Sequence, residues 1–139
     1  MIHVGMNIEH KTNLFSELAH VLEPGAFLAI YDLMRIGSGD INFPVPWAST
    51  FRCSFVDSQD KYLRALNQAG LQTIRVTNRN AYALEFFNQM QTKLAETGPD
   101  PLGIQLLMGD AAYIKLSNAY GAMEKVIIAP VEIIVQKSK

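Results

Sequence analysis

Between Lys11 and Tyr31 the spacing of apolar residues changes period. Leu14, Leu18 and Leu22 recur every fourth position with Phe15 beside them, while Lys11, Ser16, Glu17 and Glu23 point elsewhere, which predicts a helix with one buried stripe. Pro24 disfavours helical backbone at Glu23, and Gly25 can take the positive φ of a type II turn, so the helix must end there. Phe27 to Tyr31 is apolar without alternation. Such a strand is covered on both sides, which predicts the interior of a mainly parallel sheet with helices on each face. Asp32 follows at the expected carboxyl end of that strand, where open α/β sheets hold ligands; capping of the next turn is the competing role.

Upstream, Ile2, Val4 and Met6 alternate with His3, predicting a strand over Met1 to Met6. Asn7 is a candidate N-cap for the helix that follows, with Glu9 competing. Strand, helix, turn and strand imply a right-handed crossover and parallel pairing. After Asp32 come Gly37-Ser38-Gly39-Asp40 and Phe43-Pro44-Val45-Pro46-Trp47, a segment that the alternate prolines keep out of regular structure. It is expected to lie extended over the carboxyl edge of the sheet, with Trp47 either at a pocket mouth or sealing the core.

Asp57 can cap a helix from Ser58 to Ala69 whose inner face is Tyr62, Leu63, Leu66 and Ala69, with Gly70 at C′. Leu71 to Thr77 alternates and is expected nearer a sheet edge. Asn80 can cap a helix to about Ala95 carrying Leu84, Phe87, Met90 and Leu94 on one stripe. Thr97-Gly98-Pro99-Asp100-Pro101 breaks the chain. A short helix over Leu102 to Met108, a hinge at Gly109, and a helix capped by Asp110 and running through Met123 with Ile114, Tyr120 and Leu116 inward come next. Val126 to Gln136 is a β-branched strand in which Pro130 marks either a bulge or a late start at Val131. The whole of 1–139 reads as one α/β domain.

With 49% hydrophobic residues and a formal charge of −1, the chain has no basic field for nucleic acid, and no apolar span or leader pattern suggests a membrane. A soluble, cytoplasmic protein is expected. Cys53 is the single cysteine, so no disulfide framework can form, and no cysteine or histidine cluster suggests a metal. Gly37-Ser38-Gly39 does not open a helix and is a turn rather than a phosphate loop. His10 and His20 are expected in solvent; His3 lies on a strand leading to the presumed ligand edge, with packing as its ordinary role. No self-contained catalytic motif is present, so no residue receives a catalytic role.

Taken together, His3-Val4-Gly5-Met6-Asn7-Ile8, Leu14-Phe15-Ser16-Glu17, Val21-Leu22-Glu23-Pro24-Gly25-Ala26 and Tyr31-Asp32 resemble the second half of class I S-adenosylmethionine-dependent methyltransferases. The likeness is closest to small-molecule enzymes of the ubiquinone-biosynthesis and glycine or phosphoethanolamine type. It continues through Pro44-Val45-Pro46-Trp47, Ala69-Gly70-Leu71 and the final strand, and so covers nearly the whole chain. The resemblance implies a truncated Rossmann-like sheet of about four strands, the fourth to seventh of the family's seven, with the last antiparallel between its neighbours. It also implies a helical insertion over about 80–124 that covers a substrate pocket.

By the same resemblance, His3, Met6 and Asn7 fall beside the cofactor, and Asp32 and Trp47 on the substrate side. The family's glycine-rich loop and the acidic residue that binds the ribose have no counterpart here, and the sequence begins inside what resembles the fourth strand. No cofactor is therefore expected on the chain alone, and S-adenosylmethionine only if a partner supplies the missing half. An uncovered Met1 to Met6 edge would need a partner, for which a homodimer is expected. Three readings stand: a half domain with no activity of its own, half of a working methyltransferase completed by another chain, or a module that binds a small molecule without reaction.

Overall fold

The computed structural model describes residues 1–98 and 102–139, so part of the break expected at Thr97 to Pro101 lies outside the described residues. Helix α1 (Lys11–Val21) leads to strand β1 (Phe27–Arg35), and α2 (Gln59–Gln68) to β2 (Leu71–Asn78). Helices α3 (Asn80–Thr97), α4 (Gln105–Met108) and α5 (Ala112–Glu124) then precede β3 (Ile128–Lys137). The strand order is β1-β3-β2, and β3 runs antiparallel to both neighbours, as expected of the last strand. All strand pairings in this sheet are thus antiparallel, not mainly parallel. The expected parallel relation survives in the common direction of β1 and β2 and in one bridge between Ile2 and Tyr31.

That bridge is what remains of the strand expected over Met1 to Met6. Tyr31 N donates to Met1 O (2.9 Å) and His3 N to Tyr31 O (2.8 Å), but His3 then takes a φ of 53° and turns the chain out of the extended path. Gly5–Asn7 is a 3₁₀ turn, and no side chain caps α1; the Asn7 amide lies against His3 O at 3.4 Å instead. On α1 the deepest stripe is Lys11, Phe15 and Ala19, with the leucines half-buried on its flank.

Three other caps also differ from expectation. Ser58 Oγ, not Asp57, accepts from the opening turn of α2, because Asp57 is engaged by Lys61 at 2.8 Å. Asn78 Oδ1 accepts from Asn80 N at 2.8 Å, so Asn80 is inside α3 rather than capping it. Asp110 sits in a 3₁₀ turn and makes no cap to α5. Gly70, with a φ of 77°, follows α2 as predicted. Pro130 makes no bulge; the register shift lies on β2 between Thr73 and Arg75. Its carbonyl accepts from Arg79 N at 2.8 Å, so the absent N–H faces the same side, beyond the last β2 pair at Asn78, and no ladder bond is lost.

Opposed residues share a face, so Leu28, Ile30, Asp32 and Met34 of β1 lie with Ala129, Val131, Ile133 and Val135 of β3. Helices α1 and α2 cover this face with Phe15, Ala19, Tyr62, Ala65 and Leu66. The opposite face is covered only toward the carboxyl end of β1, where Leu33 and Ile128 pack with Met6, Ala83, Ala122 and Met123. Below that, Phe27, Ala29 and the bulged Ile74 are exposed, and Tyr31 and Ile134 half-buried. Ile2, 69% exposed and paired with Tyr31, extends this open patch beyond β1. The two-sided cover expected for Phe27 to Tyr31 is therefore present on one side only.

Candidate functional site

Strand β1 runs on to Arg35, because Leu33 and Met34 continue to pair with β3, and Asp32 consequently lies inside the strand rather than at its end. Its side chain is fully buried. Tyr62 Oη donates to Oδ2 at 2.8 Å and Leu33 N to Oδ1 at 3.1 Å. Burial pushes the Asp32 carboxyl up from its ordinary value, opposed by hydrogen bonds from Tyr62 and from the Leu33 and Gly5 backbone and by nearby His3. The Tyr62 hydroxyl is pushed up by its own burial and by the Asp32 charge, which keeps it a donor. Desolvation lowers His3, with Asp32 opposing; its ring meets Tyr31 edge-on at 5.4 Å between centroids.

A second buried charge fixes the following loop. Lys11 Nζ donates to Phe55 O at 2.8 Å and to Ile8 O, and stands 3.6 Å from Asp57. Burial lowers its pKa, and Asp57 works against that shift. With Phe55 N donating to Met6 O at 2.9 Å, Lys11 straps the segment before α2 onto the N-terminal turn.

Above this floor, at the carboxyl end of β1, opens a groove of about 450 Å³ lined by Arg35, Asp40, Ile41, Phe43, Phe51, Ser54 and Val56. Arg35 Nη1 donates to Gly39 O at 2.7 Å. Trp47 Nε1 donates to Ser54 Oγ at 2.9 Å, which joins the indole to the groove wall. Asp40 also borders a smaller cleft of about 200 Å³ against α5, where Asn118 Nδ2 holds Pro44 O at 2.8 Å. The loop therefore lies over the sheet edge as its prolines predict.

Of the residues predicted for function, Met6 and Trp47 pack in one apolar cluster beside the groove. His3 and Asn7 lie on the outer side of the N-terminal turn, exposed, and Asp32 is beneath it, outside the groove lining. Arg35, Asp40, Phe43 and Phe51 were not singled out by sequence. Only the aromatic, proline-broken run around Phe43 signalled them; Arg35 reads as the polar end of a strand until the loop folds back over it. Among the described residues no group of three histidine, cysteine or acidic side chains could hold a metal ion. No helix among them is long and apolar enough to cross a membrane.

A terminal strand antiparallel between two strands that share a direction, backed by two helices and followed on the other face by a helical segment, has the fold of the second half of S-adenosylmethionine-dependent methyltransferases. Solved structures of this class match the whole chain. A protein assigned as a sarcosine dimethylglycine methyltransferase from Galdieria sulphuraria superposes over 99% of this chain and 51% of its own, with a TM-score of 0.73 and 18% identity. The geranyl diphosphate C-methyltransferase of Streptomyces coelicolor A3(2), in a complex with Mg²⁺, geranyl-S-thiolodiphosphate and S-adenosyl-L-homocysteine, matches 98% of this chain and 43% of its own (TM-score 0.69, 16% identity). A cyclase matches 99% and 48% (TM-score 0.63, 16% identity), so the fold by itself does not fix the reaction. The chain spans about half the length of these proteins. No protein-family model matches the sequence, and no curated protein matches it significantly.

Proposed function

We propose that these 139 residues form the acceptor-side half of an S-adenosylmethionine-dependent small-molecule methyltransferase, with the donor gripped by polypeptide outside them. The observation that carries this reading is the open sheet face. Ile2, Phe27, Ala29 and Ile74 make an exposed apolar surface across β1, β2 and the N-terminal bridge, of the kind that a folded partner covers. Met1 O and His3 N are spent on Tyr31, so the Ile2 peptide groups face outward, ready to pair with another strand.

The residues present do not make a complete cofactor site. Met6 is buried, and His3 and Asn7 offer one exposed wall. In this reading they border the donor, Trp47 and the groove hold the acceptor, and Asp32 fixes their relative position through the Gly5 turn. Helices α3 to α5 put no residue on the groove lining; in this reading they are the insertion that stands beside it. Methyl transfer depends on holding donor and acceptor in line, so the chain alone is inactive. The exposed, unpaired Cys53 fits a reducing cytoplasm.

The open face also supports a homodimer across the same surface, and one experiment separates the two occupants. The chain is co-expressed with the polypeptide encoded immediately beside it and examined by chromatography with light scattering and by methyl-transfer assay. Our reading expects that neighbour to carry a Gly-x-Gly turn after a strand, to form a one-to-one complex and to confer activity. A two-fold dimer of this chain that excludes the neighbour would contradict it.

A further inference from the structure

The groove holds two opposite charges that have no ionic partner among the described residues. The ion pairs elsewhere join Asp57 to Lys11 and Lys61, and Glu132 to Arg75 and Arg79. Arg35 has no acidic partner among the described residues; one of its five N–H groups goes to Gly39 O, which fixes the guanidinium in the wall. Asp40, on the same lining and exposed, has neither an ion pair nor a hydrogen bond among the described residues. The other walls are Ile41, Phe43, Phe51 and Val56, with Ser54 held by Trp47.

An anchored cation and a free carboxylate on one groove lining are complementary to a ligand with both charges. The guanidinium can take a carboxylate in a two-pronged contact, and Asp40 an ammonium. The faces of Phe43 and Phe51 suit an apolar body and also attract a cation. A molecule with one charge would leave the other group to water, since Asp40 is exposed and Arg35 half-buried. At about 450 Å³ the groove falls in the range of small-molecule sites and exceeds what the charged ends alone require. We propose that this groove takes a zwitterionic acceptor, an amino acid with an apolar side chain. This rests on reading the groove as the acceptor site, and it adds the chemical class.

The test uses the full chain and three matched probes: L-phenylalanine, 3-phenylpropionate and phenethylamine. Trp47 is the only tryptophan, and its bond to Ser54 makes its fluorescence a reporter of the groove. L-phenylalanine is expected to bind at least about ten-fold more tightly than either singly charged analogue. Arg35→Gln should bring L-phenylalanine down to the level of phenethylamine while leaving phenethylamine unchanged. Asp40→Asn, which removes no hydrogen bond or ion pair among the described residues, should bring it down to the level of 3-phenylpropionate. Equal binding of the three probes, no effect of either variant, or no saturable binding at millimolar concentration would overturn the proposal. Should it fail while the chain and its donor half still transfer methyl groups, only the acceptor class falls. Should activity never appear while the zwitterion preference holds, the methyltransferase reading fails instead.

Discussion

Gly5 has no room for a side chain. A Cβ there would run into Asp32 Oδ2 and Tyr62 Oη, so any larger residue must disturb the Tyr62 bond, one of those that offset the cost of burying Asp32. Gly5→Ala is expected to destabilise the chain by about 1–3 kcal/mol, the usual range for overpacking, read as a fall in chemical-denaturation midpoint. An unchanged midpoint would mean that the turn shifts freely and that Asp32 does not pin it. This relation was invisible in the sequence, since Gly5, Asp32 and Tyr62 belong to three elements and none is unusual in its local setting. What the sequence did suggest for Asp32, a place at the ligand end, depended on ending the strand at Tyr31. Burial of Leu33 and Met34 against β3 carries the strand onward and leaves Arg35 to face the groove.

Periodicity located the helices well, and it was silent on which part of each stripe finds a partner. On α3, Ala83, Leu84 and Phe87 reach the α5 side, where Phe87 meets Tyr120 with ring centroids 5.9 Å apart. Met90 and Leu94, on the same predicted stripe, remain 42% and 49% exposed because the helix continues past the elements it packs on. Ile114 is likewise exposed, while Leu116 and Tyr120 are half-buried. The N-terminal strand failed for a different reason, a single positive φ at His3 that alternation cannot reveal.

The link between β2, β3 and the start of α3 gives a prediction at this scale. Glu132 accepts from Arg79 at 2.9 Å and from Arg75 at 2.8 Å, and these contacts, Arg79's first, hold its carboxyl below the ordinary 4.5. A depressed folded pKa contributes stability in full above the unfolded value and loses it as pH falls through the folded one. The melting temperature of wild type should therefore exceed that of Glu132→Gln above about pH 4.5, and the gap should close as the solution is made more acid. A gap that stays constant into strong acid would show that the contacts contribute nothing through the charge.

For the molecule as a whole, the Leu22 to Asp32 turn and strand and the order of later elements were enough to indicate half of a methyltransferase sheet, with its last strand antiparallel in the middle. The structure bears out the antiparallel place of the last strand between its neighbours, in a sheet of three strands rather than about four. The extent of the uncovered face was not legible, because an apolar strand reads alike whether its second cover is in the same polypeptide or another. Half of the matched proteins' length has no counterpart here, and the surface over Ile2, Phe27 and Ile74 is bare. The most direct test is calorimetric titration of the isolated chain with S-adenosylmethionine and with its demethylated product. The account predicts no saturable heat at millimolar ligand; tight, one-to-one binding of either would contradict it.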